Sequence, residues 1–592
     1  MTISQIGVYL PISVLYPEVQ SDFITFKSLL AGLSRTDSLF WCARVNMVLS
    51  SREASHCEKQ EFALKQFLSK SEISAVNNFC KKYGGAENVT VFFRGQMLEL
   101  IRWIALYCND CAGDGTTFED PTVRKRFAQA ALIAGDFWAK RVFGTRFTLR
   151  DGVEVGRRRA LGAIRKSIED TSLSLSMQQS LGRGWSLFHD YFQRSYQDLE
   201  SEFISVTGLS VEQYYICLAS IVINFMDPKK NTGIFNAKTL GESTPYHAIF
   251  QKYINLESQS STKLRNALWG GVATEDFKSE QDVPYYDYRS LRDKPIFRAE
   301  DGRAIILDSI MYSERASVGP LFYLAQSKAS KANEIFSAYG IAFENYANDI
   351  LKRMFDEGRN TLSTRLQCNI KVKDRTGKNF EIDSCLNDVT EMVVFEMKAG
   401  WLPEKTILSD NYERYLHCLL KKYGTVKGES GERAVKGMGQ LARTVNLIAS
   451  KEWSGHNDEF SKVERIYPVL VVHDVHLSAP IYGNYFAKEF EKYLSPDAIL
   501  ACGELMKGQL RVAPLIILTI EDLENLETSV EHFSLCELLR DYTQATPDRL
   551  QSLHNYMALS KYGCKMYHNR NLPAKCLELL DRMQKALYSN EG

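Results

Sequence analysis

Three runs of β-branched and large apolar residues in the second half of the chain constrain its fold more than any other feature. They are Met392-Val393-Val394-Phe395, Ile466 to Val472 (IYPVLVV) and Leu510 to Ile520 (LRVAPLIILTI). Such runs read as strands buried in a sheet. Between the first two, VKGMGQLARTVNLIAS carries apolar residues at helical spacing. Upstream, a helix is expected from Ala332 to Glu357, its stripe formed by Phe336, Gly340, Phe343, Ala347, Ile350 and Met354. Asn369 to Asp374 and Asn379 to Leu386 then read as the two strands of a hairpin, with Thr376-Gly377-Lys378 as its turn. The order helix, hairpin, strand, helix, strand predicts a mixed α/β sheet with helices on both faces over about residues 331–525. A helical extension is expected over 526–592.

The earlier part of the chain reads as mostly helix. LLAGLSRTDSLFWCARVNMVLSS, EFALKQFL and QMLELIRWIALYC space their apolar residues by three and four. Val211 to Phe225 is nearly all apolar, and its length suits a buried core helix better than a membrane span. From about Gly270 the sequence turns polar and irregular, and 291–330 is read as a linker or crossing segment, with RAIILDSIMY as a short strand entering a helix. A chain of 592 residues exceeds what one core supports. The expectation is a helical recognition or regulatory region over 1–290, followed by the α/β region.

The chemistry concentrates on the third strand of the α/β region. Residues two apart on a strand point to the same side, so Glu396 and Lys398 share a face while Phe395 and Met397 point away. A neighbouring antiparallel strand can set Asp383 alongside them. An isolated Glu-x-Lys is common on exposed strands, but these charges follow a buried-type run, where lone charges are costly unless paired or functional. Two carboxylates offer hard oxygen ligands suited to Mg²⁺ or Mn²⁺. Such a metal activates water and polarises a phosphoryl oxygen, and a lysine beside it can orient that water or stabilise charge on phosphate.

These residues resemble the PD-(D/E)XK nucleases, which share their fold with type II restriction endonucleases. Asp383 matches the family's Asp, and Glu396-Met397-Lys398 matches its (D/E)-x-K tripeptide. Gly340 to Tyr346 (GIAFENY) resembles the first core helix, with Glu344 as its acidic residue, and Gln440 sits where many members carry a Gln after the tripeptide. Ile382 stands where the family has Pro. The match covers roughly residues 335–520, about a third of the chain. The resemblance implies a restriction-endonuclease-like fold and a Mg²⁺- or Mn²⁺-dependent endonuclease. Asp383 and Glu396 would be metal ligands, Lys398 would act on the water, and Glu344 and Gln440 would be accessory catalytic residues. It implies DNA as substrate ahead of RNA, and, by association with bacterial chains of this build, defence against phage or other foreign DNA. An RNA-cleaving toxin and a non-catalytic nucleic-acid-binding protein on the same fold are the alternatives.

Net charge carries no information about a polyanionic partner, because Lys plus Arg and Asp plus Glu both number 72. Local clusters do. Arg124 to Lys166 holds twelve Lys or Arg against three Asp or Glu, including Arg124-Lys125-Arg126 and Arg157-Arg158-Arg159. A second basic stretch runs through Lys421-Lys422, Lys427, Arg433 and Lys436. Both are candidate phosphate-contacting surfaces. Cys108 to Cys111 is a single C-x-x-C with no second pair to complete a zinc site, and His473-Asp474-Val475-His476 reads as a polar strand end. No P-loop is present, so a motor or sensor would come from another chain, and homo-oligomers remain open. The N-terminal MTISQIGVYLPISVLYPEVQ has no signal-peptide pattern and no apolar run reaches 18 residues, so a cytoplasmic protein without a membrane span is expected.

Overall fold

A computed structural model describes residues 8–51, 54–109, 117–143, 176–226, 233–270, 277, 279, 288–355, 364–374, 377, 379–400, 412–427, 433–451, 453–454, 458–474, 477, 480–498, 510–546, 551–566 and 569–588. The chain forms two compact units. One combines 330–571 with the short segment 190–197; the other holds 3–189, 198–329 and 572–592.

The larger unit is helical. Its core gathers around α1 (Arg35–Leu49), α2 (Arg94–Tyr107) and α3 (Pro121–Phe143). The first apolar stretch does not form one helix. Gly32 takes a φ of +81, and Ser34 then caps α1 by accepting from the Asp37 N–H. As expected, α4 spans Val211–Phe225 and is buried over most of its length. A four-stranded sheet is added by β1 (Ile234–Asn236), β2 (Ser258–Gln259), β3 (Ile296–Arg298) and β4 (Arg303–Ile306), in the order β1-β4-β3-β2. Residues 291–330 are therefore not an irregular linker. They carry the β3–β4 hairpin and the 19-residue helix α5 (Ser309–Ser327). RAIILDSIMY, read as a short strand entering a helix, is β4 leading to α5, while β3, of three residues, is too short for a period to reveal it.

Two buried ion pairs fix this unit. Arg94 donates to both oxygens of Asp308, at 2.7 and 2.9 Å, while Asp308 also caps α5 through the Met311 N–H at 2.8 Å. Arg315 on α5 donates to Glu257 at 3.0 Å, and Tyr214 and Tyr323 donate to the same carboxylate at 2.8 and 3.0 Å. A buried charge is tolerable only with such a full set of partners. Among the described residues no single helix is long and apolar enough to cross a membrane. The one candidate is a pair of helices, Leu199–Thr207 and α4, bent by 60°.

The second unit is a mixed α/β sheet. Helix α6 (Ala332–Met354) leads into β5 (Thr364–Asp374), β6 (Asn379–Asp388) and β7 (Glu391–Lys398), an antiparallel meander. The chain continues through α7 (Tyr412–Tyr423) and α8 (Met438–Ala449) to β8 (Trp453–Ser454) and β9 (Arg465–Val472). It ends the sheet with β10 (Arg511–Val512), β11 (Ile516–Thr519) and the following helix α9 (Ile520–Ser529). The sheet order is β8-β5-β6-β7-β9-β10, with β11 also paired to β9. β9 lies parallel to β7, β10 and β11. Ile466, Val469, Leu470, Val471 and Val472 are fully buried, as a central strand requires, and each contributes about 1.5–3 kcal/mol of burial. The run LRVAPLIILTI divides into two strands around Pro514, which cannot donate to the ladder.

Residues 190–197 belong to this unit. Tyr191 donates to Asp349 at 3.0 Å and packs on Tyr346, and Phe192 packs on Tyr339, all against α6.

Candidate active site

β7 carries acidic and basic groups at both ends, and the two ends differ. At its start, Glu391 faces Arg465 of β9 directly and also meets Arg540 and the Tyr467 hydroxyl, the last at 3.0 Å. That carboxylate is satisfied. At the other end Glu396 is 3% exposed, and its Oε1 pairs with Lys398 Nζ at 2.5 Å. The two ends therefore use similar residues for different purposes.

Asp383 reaches this end from β6. The β6–β7 ladder stops at Ser384↔Phe395; one further step would set Asp383 opposite Glu396. Instead the Met397 N–H donates to Asp383 Oδ2 at 2.7 Å. A side chain thus takes a bond that backbone takes elsewhere in the sheet, and it fixes the carboxylate between Glu396 and Lys398.

Glu344 arrives on α6, and a polar tie sets its height. Asn348 lies one helical turn further on, on the buried stripe. Ser384 Oγ donates to Asn348 Oδ1 at 2.5 Å, and Asn348 Nδ2 donates to Asn369 Oδ1 at 3.3 Å. Asn369 holds a φ of +53 within β5, a conformation that asparagine tolerates better than most residues. None of these three residues stands out in the sequence. A polar Asn on an otherwise apolar helical stripe was the one available signal.

The electrostatics follow from three carboxylates sharing one ammonium. Burial pushes Glu396 up to about 8; Lys398 opposes this, while Asp383 and Glu344 add to it. Burial, then Asp383, pushes Glu344 up to about 7 against Lys398. Asp383 is raised by burial, with Lys398 and the Met397 N–H pulling the other way. Lys398 moves upward: burial disfavours its charge, but Glu396, Asp383 and Glu344 outweigh it. Glu381, exposed on the same side of β6 two residues before Asp383, adds further negative charge. Each group is shifted in the direction that reports too little positive charge.

That deficit bears on whether the donors fit a divalent cation. Among the described residues no three His, Cys, Asp or Glu side chains are disposed as a ready-made metal cage. Mg²⁺ does not demand one, since it keeps several waters and commonly takes one or two carboxylates. The hard oxygens of the buried Asp383 and Glu396 carboxylates fit that mode.

Other sequence-derived candidates fall elsewhere. Gln440 caps its own helix: its Oε1 accepts the Gly437 N–H at 3.0 Å, and it makes no hydrogen bond with Lys398. Gln440, expected as an accessory catalytic residue, satisfies the N–H that Gly437, at a φ of +46, leaves at the helix start. Lys421 and Lys422 are exposed at the end of α7. In the other unit Arg124 donates to the Phe118 carbonyl, Arg126 ties the carbonyls of Ser28, Leu29 and Ala31, and Lys125 stands over the Tyr16 ring. These three thus hold local structure. Arg157, Arg158, Arg159, Cys111 and His476 lie outside the described residues. Cys108 is buried, and burial pushes its thiol up to about 12. His473 is buried with Nε2 at 3.3 Å from the Tyr339 hydroxyl, at the end of β9.

Compared with known proteins, the chain matches no family model, no curated protein and no solved structure.

Proposed function

We propose that this chain is a metal-dependent nuclease that hydrolyses phosphodiester bonds, in DNA ahead of RNA, at the end of β7. The observation that carries the reading is the convergence of Glu344, Asp383, Glu396 and Lys398 from three elements, with Lys398 acting on all three carboxylates and Asp383 acting on both glutamates. The element order and strand directions of the sheet accord with the resemblance to the PD-(D/E)XK nucleases. A Mg²⁺ or Mn²⁺ ion held by Asp383 and Glu396 would supply Lewis acidity toward a phosphoryl oxygen and lower the pKa of bound water. Lys398, charged and close to both carboxylates, would orient the attacking water or stabilise negative charge on the phosphate. Glu344 gains or loses a proton near neutral pH, the range in which general acid–base groups work best. The Met397 N–H would hold Asp383 in place while the groups around it change charge. A recognition or regulatory role for the helical unit, a motor or sensor in a partner chain, and a place in defence against foreign DNA belong to the same proposal.

The test compares wild type with Lys398→Ala on plasmid, linear and single-stranded DNA and on RNA, with Mg²⁺, Mn²⁺ or EDTA. Cutting by wild type with metal alone supports the reading, and the preferred substrate names the class. Metal-independent cutting, or equal cutting by Lys398→Ala, would count against it.

A second reading is favoured by one distance. Lys398 Nζ lies 2.5 Å from Glu396, so the pair could be purely structural. In that case Asp383→Ala would leave Mg²⁺ and Mn²⁺ affinity unchanged.

A further inference from the structure

We propose that Lys422 and Lys436 form a clamp for a backbone phosphate of a bound nucleic-acid strand, beside the carboxylate cluster rather than within it. The inference rests on the nuclease reading of the β7 end and specifies how a substrate would be held there.

The two lysines come from different elements and are brought together by backbone contacts. Lys422 ends α7, and the next residue, Tyr423, donates its hydroxyl to the Gly400 carbonyl at 2.7 Å. That bond anchors α7 to the chain two residues beyond Lys398. A Cβ at Gly400 would stand 2.4 Å from Lys422 Cε, so the lysine stem runs across the bare glycine. Lys436 is set by its own N–H, which donates to the Gly424 carbonyl at 3.0 Å.

Both residues are exposed overall, with part of the Lys422 stem covered where it crosses Gly400. The Lys422 ammonium sits below its ordinary range: burial is the main cause, Lys436 adds to it, and Asp474 at the end of β9 opposes both. Two like charges held near each other repel in the free chain, and Asp474 opposes that repulsion at Lys422. An anion placed between them relieves that repulsion, which is how polyphosphate sites are commonly prepared.

The position selects the anion. Gly400 lies two residues past Lys398, at most about 7 Å further along the chain. A phosphate held by Lys422 and Lys436 would thus be a near neighbour of the one facing Lys398. Lysines act as point charges, so this clamp contributes sequence-independent affinity and no base choice.

The experiment uses the whole protein and a fluorescein-labelled DNA duplex in EDTA, with anisotropy titrations at several NaCl concentrations from about 50 to 200 mM. The slope of log affinity against log salt should shrink by about 1 in Lys422→Gln or Lys436→Gln, and by about 2 in the double variant. The double Lys→Arg variant should keep the wild-type slope, which separates lost charge from lost fold. Lys488→Gln, the same charge change at another exposed lysine of this unit, should leave the slope alone. An unchanged slope in the double Gln variant, an equal fall in Lys488→Gln, or no DNA binding by wild type would each overturn the clamp. Because no metal is present, the readout is independent of cleavage. A protein that binds through the clamp but never cuts would refute the nuclease reading alone, and one that cuts with an unchanged slope would refute the clamp alone.

Discussion

The carboxylate of Asp383 accepts the backbone N–H of Met397 at 2.7 Å, so the residue between Glu396 and Lys398 is itself the anchor for the third charged group. The bond makes the spacing of the tripeptide structural as well as chemical. The middle residue contributes its backbone, while its buried side chain faces away from the cluster.

Two substitutions of Asp383 should therefore separate fold from chemistry. Asp383→Asn keeps an oxygen for the Met397 N–H, and should unfold in urea near the wild-type midpoint while losing metal affinity. Asp383→Ala leaves that N–H unpaired and should lose about 1–3 kcal/mol as well. Equal stability of the two variants would show that the bond contributes nothing.

Asn348→Ala should loosen α6 from β6. The fully buried Ser384 hydroxyl loses its partner, at a cost of about 1–3 kcal/mol, and the exposed Asn369 side chain loses a weaker contact. If the tie positions Glu344, cleavage should fall further than stability predicts, measured as kcat at a temperature where both proteins are folded. Unaltered kcat would restrict Asn348 to a structural role.

The Glu257–Arg315 pair should show strong coupling. Either single change, Glu257→Gln or Arg315→Met, leaves a charge buried without its counter-ion and should cost about 3–5 kcal/mol. The double variant should cost clearly less than the sum of the singles in a denaturant double-mutant cycle. Simple additivity would mean that the tyrosines around Glu257, rather than Arg315, carry the charge.

Asp308 gives the helical unit a defined acid limit. Burial disfavours its charge, but Arg94, the Met311 N–H and Asn46 outweigh burial and hold the carboxyl below its usual range. Its pKa is lower folded than unfolded, so the stabilisation is present above the unfolded value of about 3.9 and is lost as pH falls through the folded one. Asp308→Asn should be about 3–5 kcal/mol less stable than wild type at pH 7. That gap should narrow below about pH 4. A gap that stays constant from neutral to acid pH would rule the linkage out.

The sequence was most legible where a period met a burial requirement. Glu396 and Lys398 could be placed on one face because strand alternation leaves no choice, and Val211–Phe225 and Ile466–Val472 could be read as buried elements from composition alone. The mixed α/β character of the second half followed from the same patterns. What escaped was tertiary. The Asn348, Ser384 and Asn369 contacts join residues far apart in sequence, and no local pattern predicts them. Gln440 was readable in principle, since a Gln three residues after a Gly is a helix-start pattern, but the motif drew it toward catalysis. Of the β3–β4 hairpin only β4 was legible, in RAIILDSIMY; β3 was too brief to show alternation beside the charged Ala299-Glu300-Asp301-Gly302 turn.

The interleaved membership of the two units bears on how the protein is made. Residues 190–197 are synthesised long before the sheet unit they join, and 572–588 arrive only after that unit is complete in sequence. A nascent chain released partway therefore carries a helical unit missing its last helix. Neither unit is one continuous stretch, so a break anywhere between residues 198 and 571 leaves part of each unit on both sides of the cut.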